Sequence, residues 1–138
     1  MDYRLKMTLA IEESERKLKL LNPDELKRLV ISDRLRRLRK RGLRVGMDFL
    51  EEDQEVRKTE LSKFSIVLFI RQIKEIMGCK ACEEKHPACI EFHHLDPKDK
   101  SFSVATAANG HISMSTLIHE IRKCILICSN CHKKEHHT

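Results

Sequence analysis

The sequence predicts an α+β fold, in which a mostly helical N-terminal region is followed by a smaller module built from short segments. Of the 138 residues, 35% are charged and 41% are hydrophobic, with no Trp, which is typical of a helix-rich protein with a modest core. Apolar residues recur at helical spacing up to Gly78, and all six cysteines and all eight histidines follow it. We therefore predict two units, residues 1–78 and residues 79–138.

The first two helices are expected before Gly42. Residues Leu5–Leu21 form a charged pattern that suits a helix. Asn22 then stands as an N-cap and Pro23 at the first helical position, a combination that favours the start of a second helix. Because glycine commonly follows the last residue of a helix, Gly42 is expected to end it.

A third helix is expected over Leu61–Met77, where apolar residues recur over a stretch long enough for a buried helix. Ile66–Ile70 alone also suits a strand, and the sequence leaves this alternative open. Leu43–Glu60 is mixed and partly acidic, so we interpret it as a connector or a further exposed helix. Gly78 should end the third helix just before Cys79.

The net charge of +6 is concentrated in one segment, Lys27–Arg44, which contains nine basic residues and one acid, Asp33. Such a segment attracts nucleic acid by releasing condensed counterions, but a basic run is also common on a solvated helix face. The candidate phosphate contacts on this helix are Arg34, Arg36, Arg37, Lys40 and Arg41. Further lysines flank the histidine-rich segments and have the same two interpretations: Lys98, Lys100, Lys133 and Lys134.

The sequence also limits where the protein is expected to act. No apolar run approaches the roughly 20 residues that a membrane-spanning helix needs, and the first residues lack the uninterrupted apolar stretch of a signal peptide. We therefore expect a cytoplasmic protein with no membrane partner. Because cytosolic thiols stay reduced, six cysteines in a chain of this length favour metal binding over disulfides.

Four of the cysteines form two pairs of identical spacing, Cys79-x-x-Cys82 and Cys128-x-x-Cys131. Each pair can place two thiolates on a tight turn, and four thiolates complete a closed tetrahedral site for zinc. A closed site leaves no open position for water, so this zinc is expected to be structural. The other two cysteines lie beside apolar residues and are interpreted as small buried hydrophobic side chains: Cys89 and Cys124.

Histidines supply a second set of candidate ligands. His132 and His136 stand four residues apart, so a helix would place them on one face, within reach of a single cation. His93 is a candidate third ligand. If the segment around His93 and His94 is extended, the two side chains point to opposite faces and can take different roles. The remaining histidines are interpreted as surface or core residues: His86, His111, His119 and His137.

Three segments of the second unit combine into one motif. They are Cys79-x-x-Cys82, then Phe92-His93-His94-Leu95-Asp96-Pro97, then Cys128-Ser129-Asn130-Cys131-His132-x-x-x-His136. This motif resembles that of the HNH endonucleases with a zinc-binding ribbon, and its HH and HxxxH arrangement is similar to that of colicin-type nucleases. The resemblance covers the second unit only.

The resemblance implies a small zinc-stapled ββα-metal module for residues 79–138. In that family, a β-hairpin precedes the helix that carries the last histidines. The hairpin strands are expected near Ile90–His94 and Phe102–Ala105, with an intervening helix at Met114–Lys123. Lys123 stands where the family motif usually has its middle Asn.

The resemblance also implies an activity, the metal-dependent hydrolysis of DNA phosphodiester bonds. It assigns His94 as the general base and His93, His132 and His136 as ligands of a catalytic divalent metal such as magnesium, manganese, nickel or zinc. Products with 5′-phosphate and 3′-hydroxyl ends are expected. One active site cuts one strand, so double-strand cleavage would require a homodimer or two successive events.

Two other classes of function remain open at the level of sequence. The first is a zinc-dependent DNA-binding protein without catalysis, in which Lys27–Arg44 provides the affinity and the histidines are structural. The second is a protein-interaction ribbon, which the paired histidines disfavour. A test for DNA cleavage separates the first of these from a nuclease.

Overall fold

A computed structural model describes residues 2–46, 49, 55–109 and 112–137. Parts of the predicted connector Leu43–Glu60, and His111, therefore lie outside the described residues. The helices are α1 (Tyr3–Leu20), α2 (Pro23–Lys40), α3 (Lys58–Met77), α4 (Met114–Ile121) and α5 (Ser129–His137), and the strands are β1 (Ile90–His94) and β2 (Cys124–Cys128). Mostly helical structure with one small antiparallel sheet is compatible with the predicted α+β class. Within these ranges, no helix combines the length and apolar character needed to cross a membrane.

The first two helices confirm the predictions from capping residues. The side chain of Asn22 accepts a hydrogen bond from the backbone N–H of Glu25 at 2.8 Å, and Pro23 is the first residue of α2. This satisfies one of the free N–H groups at the helix start. After α2 the chain turns through Gly42, whose φ of +79° lies in the left-handed region that favours glycine.

The third helix runs from Lys58 to Met77 and starts three residues before the predicted bound. It includes Ile66–Ile70, so the strand alternative for that stretch is wrong. Phe69 and Ile73 are completely buried in it. Gly78 ends the helix at a φ of +64°, and a Cβ there would lie 3.1 Å from both the carbonyl oxygen of Glu84 and Cγ of Lys85. A side chain at this position would strain the turn that leads to Cys79.

The predicted second strand of the hairpin is wrong. No strand forms at Phe102–Ala105. A 3₁₀ helix starts at Val104 instead, and the side chain of Val104 is buried. The partner of β1 is β2, which runs antiparallel to it with Ile90 opposite Cys128 and His94 opposite Cys124. All five residues of β2 are buried. A short, continuously apolar strand of this kind is favoured where both faces are covered.

One hydrophobic core extends across the predicted boundary at Gly78. It contains Ile11 of α1, Phe69 of α3, Leu117 of α4 and Leu126 of β2, each at most 1% exposed. The N terminus is also tied to the sheet, since the backbone N–H of Leu126 donates to the hydroxyl of Tyr3 at 2.8 Å. The division into residues 1–78 and 79–138 stays a prediction, and α1 and α3 of the first part share this core with the sheet of the second.

Candidate metal centre

The four paired cysteines converge, as their spacing predicts. Their sulfur atoms all lie within 4.8 Å of one another, and Sγ of Cys82 is 3.6 Å from Sγ of Cys128. Sulfurs on a tetrahedral zinc ion, each about 2.3 Å from it, are separated by about 3.8 Å. This group, the cysteine cluster, could therefore hold a metal such as zinc.

Backbone contacts bring the two halves of the cysteine cluster together. The N–H of Lys80 donates to the carbonyl of Leu126 in β2 at 2.8 Å, and the N–H of Cys79 donates to the carbonyl of Glu84 at 2.8 Å. The N–H of Cys128 donates to Sγ of Cys79 at 3.2 Å. The turn after α3 is thus bonded to the end of β2, where the second pair begins.

Hydrogen bonds and neighbouring sulfurs shift the pKa values of Cys79 and Cys131. Burial raises the pKa of the Cys79 thiol, but N–H donors from Cys128 and Ala81 outweigh it and lower that pKa to about 6. Neighbouring thiols raise the pKa of Cys131 to about 12, because its thiolate would face other sulfurs. A divalent cation would offset this repulsion and favour four thiolates.

The two unpaired cysteines lie outside the cysteine cluster, but only one is buried. Cys124 is 3% exposed, and burial raises the pKa of its thiol to about 12, so it is the small hydrophobic residue that was predicted. Cys89 is exposed, and the corresponding prediction is wrong. It ends a 3₁₀ helix, Pro87–Cys89, just before β1, and its neighbour Ile90 is the residue that enters the core.

Three histidines form a second group, the histidine cluster. Nε2 of His132 lies 3.2 Å from Nδ1 of His93 and 2.8 Å from Nε2 of His136. All three ligand atoms are within 4.8 Å of one another. His132 and His136 lie one turn apart on α5, and His93 reaches them from β1. Because His132 follows Cys131 directly, the cysteine cluster also fixes where this part of α5 lies.

Electrostatics at the histidine cluster favour a neutral imidazole at His93. Burial, followed by the nearby His132, lowers the pKa of His93, so that its uncharged form is favoured. Neutral imidazole is the form that binds a metal. Three converging imidazole nitrogens suit zinc, nickel or another transition metal better than magnesium, which prefers oxygen ligands.

Glu91 is a functional candidate that the sequence interpretation missed. One oxygen of its carboxylate lies 2.6 Å from Nδ1 of His132, and the other accepts a hydrogen bond from the hydroxyl of Ser129 at 2.8 Å. These two donors lower the pKa of Glu91. An ionised carboxylate can only accept a hydrogen bond, so the hydrogen of neutral His132 lies on Nδ1. The lone pair of Nε2 then points toward the histidine cluster. Glu91 is two residues before His93 on β1, so period-two alternation could have found it.

The predicted general base, His94, is not part of the histidine cluster. Its side chain is 8% exposed and lies on the opposite face of β1 from His93, as alternation predicts. Nε2 of His94 is 2.7 Å from a carboxylate oxygen of Glu120, a buried residue of α4 that the sequence interpretation also missed. The assignment of His94 as general base stays a prediction.

The predicted DNA contacts differ in their surroundings. Arg34 belongs to α2, and its side chain forms an ion pair with Glu60 of α3 and donates to the carbonyl of Glu55. The other candidates are exposed, and two of them pair with Asp33 on their own helix. The exposed candidates are Arg36, Arg37, Lys40, Arg41 and Lys100. Arg34 is therefore less free to contact phosphate than the sequence suggested, and DNA binding stays a prediction for all six.

A cleft of about 390 Å³ opens beside the histidine cluster. Its walls include Glu91, His132, His136 and Lys133. The cleft therefore combines ring nitrogens that could hold a metal with a carboxylate and an ammonium group.

Comparison with known proteins adds no further information about this site. No protein-family model matches the chain, and no curated protein or solved structure is significantly similar to it.

We expect two metal ions per chain, held by different ligands. After substitution with cobalt, the wild-type protein should show thiolate-to-metal absorption and bind two equivalents. His136→Ala should lose one equivalent and keep the thiolate band. Cys128→Ser should weaken the band and unfold readily, because it removes one of four thiolates from a structural zinc site that contributes on the order of 10 kcal/mol. The measurements are metal analysis and cobalt absorption, and a single equivalent in the wild type would contradict the second site.

Glu91→Gln should weaken metal binding at the histidine cluster alone. An amide can donate to the Nδ1 atom of His132 and so permit the wrong tautomer. Loss of such an outer partner typically costs about 10- to 100-fold in metal affinity. Titration with nickel measures the effect, with the exposed Glu83→Gln as the matched control. Equal nickel affinity in Glu91→Gln and the wild type would show that Glu91 does not orient His132.

Proposed function

We propose that this chain is an HNH endonuclease, a metal-dependent enzyme that hydrolyses DNA phosphodiester bonds. The observation that carries the proposal is the histidine cluster, in which one strand residue and two helix residues aim three ring nitrogens at one point. A structural zinc in the cysteine cluster would hold α5 against β1. Strand β1 pairs with β2 across the intervening α4, and α5 follows β2 directly, an arrangement in space that supports a ββα-metal module.

The residues of the histidine cluster fit a catalytic divalent metal. Their ligand atoms already converge, Glu91 orients His132, and the cleft beside them is open to solvent. Magnesium, manganese, nickel or zinc are candidates, with transition metals favoured by the three imidazoles. When bound, the cation would supply positive charge that offsets the negative charge developing on the phosphate and on the leaving oxygen.

In the proposed reaction, His94 takes a proton from a water molecule placed in line with the scissile phosphorus. The water oxygen bonds to phosphorus, the bond from phosphorus to the 3′ oxygen breaks, and the leaving oxygen takes a proton from solvent. The products carry 5′-phosphate and 3′-hydroxyl ends. An imidazole suits this role because it exchanges protons near neutral pH.

The proposed substrate is DNA, which would lie across the histidine cluster. Lys133 lines the cleft and Lys100 is exposed on the loop after β1. Exposed arginines of α2 would add contacts to phosphates farther along the duplex. Such contacts position DNA without reading its bases.

The second candidate function is a zinc-dependent DNA-binding protein without catalysis. The burial of His94 favours it, since a side chain that is 8% exposed and bonded to Glu120 offers little surface to a water molecule. In this alternative the cysteine cluster has the same structural role, and α2 provides the affinity. The two candidates differ in whether DNA is cut.

Plasmid nicking tests the proposed function. Wild-type protein with manganese or nickel should convert supercoiled DNA to the open circular form. His94→Ala should lower the rate by at least about 100-fold, since positioned acid–base groups contribute on that scale. His136→Ala should also lower the rate, because it removes a ligand of the proposed metal, and a chelator should abolish nicking. His119→Ala, on the exposed side of α4, is the matched control and should retain activity. Binding of DNA by the wild type without nicking under any metal would favour the non-catalytic alternative.

Charge reversal on α2 tests the DNA-binding surface. Replacing Arg36, Arg37 and Lys40 with Glu should weaken binding to duplex DNA. The dependence of log affinity on log salt should become shallower by up to about 3, because each phosphate contact contributes about 0.9 to the slope. The measurement is fluorescence anisotropy at several salt concentrations.

The control for this experiment reverses three basic residues that lie elsewhere on the surface. It consists of Lys17→Glu, Lys19→Glu and Lys63→Glu, all on exposed positions. Both triple variants change the net charge equally, so a general electrostatic effect would appear in both. An unchanged slope in the α2 variant would mean that its basic face is solvated and does not contact DNA.

A further inference from the structure

We infer that Glu120 is a positioning residue, which fixes His94 in the tautomer with hydrogen on Nε2 and so makes Nδ1 the atom that receives the proton. Lys123 in turn holds Glu120. The catalytic part of this inference rests on the proposed function, whereas the tautomer itself is a property of the folded chain.

The carboxylate of Glu120 is surrounded by hydrogen-bond donors. One oxygen lies 2.7 Å from Nε2 of His94 and 2.9 Å from the backbone N–H of Ser101. The other oxygen lies 2.9 Å from Nζ of Lys123. Glu120 is 1% exposed, so water does not compete freely for these contacts. Both oxygens therefore act as acceptors.

The ionised state of Glu120 decides which atom carries the hydrogen. Burial raises the pKa of this carboxyl group, but the donors Lys123, Ser101 and His94 outweigh burial and lower the pKa to about 2. An ionised carboxylate has no hydrogen to donate. In the short contact to His94 the hydrogen must then lie on Nε2, and a neutral His94 has its free lone pair on Nδ1.

Lys123 gives the buried carboxylate its compensating charge. Its Nζ also donates to the carbonyl of Asp99 at 2.8 Å and to the hydroxyl of Ser101 at 3.2 Å. One ammonium group thus connects the end of α4 to the loop that follows β1. Lys123 occupies the position of the middle Asn in the HNH motif. The structure gives this position a supporting role in which the lysine acts on His94 through Glu120.

An amide at position 120 cannot replace the carboxylate. Lys123, Ser101 and His94 present donors to both oxygens, whereas Gln would put a donor NH₂ group in place of one of them. If the amide oxygen faces Lys123, the NH₂ group faces Nε2 of His94 and favours hydrogen on Nδ1. If the amide is reversed, the NH₂ group opposes the ammonium of Lys123. In Glu120→Gln, the hydrogen of His94 should therefore no longer be held on Nε2.

Nitrogen NMR of the histidine side chains reads the tautomer directly. The zinc-loaded full chain, labelled with ¹⁵N, is measured by long-range correlation spectra, and the His94→Ala spectrum identifies the signals of His94. Wild type should show a protonated Nε2 and an unprotonated Nδ1. Glu120→Gln should lose this pattern, and the exposed Glu75→Gln should keep it. Hydrogen on Nδ1 in the wild type would overturn the inference, whether or not the variant folds.

Nicking kinetics test whether the tautomer matters for the reaction. Glu120→Gln should lower kcat by about 10-fold or more, the typical cost of losing an orienting partner, with KM for plasmid and nickel affinity within about 2-fold of wild type. An unchanged kcat in a variant whose tautomer has changed would overturn the catalytic part. If the wild type does not nick DNA at all, the proposed function fails, and the NMR result still decides the tautomer.

Discussion

The convergence of four cysteine sulfurs constrains the second half of the chain. It joins the turn after α3, the end of β2 and the start of α5. His132 follows Cys131 directly in the sequence, so the position of the Cys131 sulfur also constrains the position of His132. Without that constraint, a nine-residue helix such as α5 with no buried residue would have little to hold it against β1.

The pairing of β1 with β2 then separates two polar groups. On one face of β1, Glu91 and His93 meet α5, where Glu91 orients His132. On the other face, His94 meets Glu120 of α4. In each group, a carboxylate determines which ring nitrogen of a histidine carries the hydrogen. The adjacent histidines of β1 therefore have different surroundings.

Elements with strong local signals were predicted well. Asn22 and Pro23 mark the start of α2, and the spacing of the cysteines marks their cluster, because caps and metal ligands act over a few residues. The partner of β1 was predicted incorrectly, because the resemblance placed the second strand at Phe102–Ala105, whereas the observed partner is Cys124–Cys128. The choice between them depends on what covers each strand, and no local pattern contains that information.

By itself, the sequence determined the helical first half, the four sulfurs of the cysteine cluster and the three rings of the histidine cluster, because these depend on residue type and short spacing. Only the tertiary structure decided the strand pairing, the ion pair that occupies Arg34, and the roles of Glu91 and Glu120. A carboxylate has many possible partners in a sequence rich in charge. Its partner is set by the packing of β1 between α4 and α5, which brings together residues as distant as Glu91 and His132.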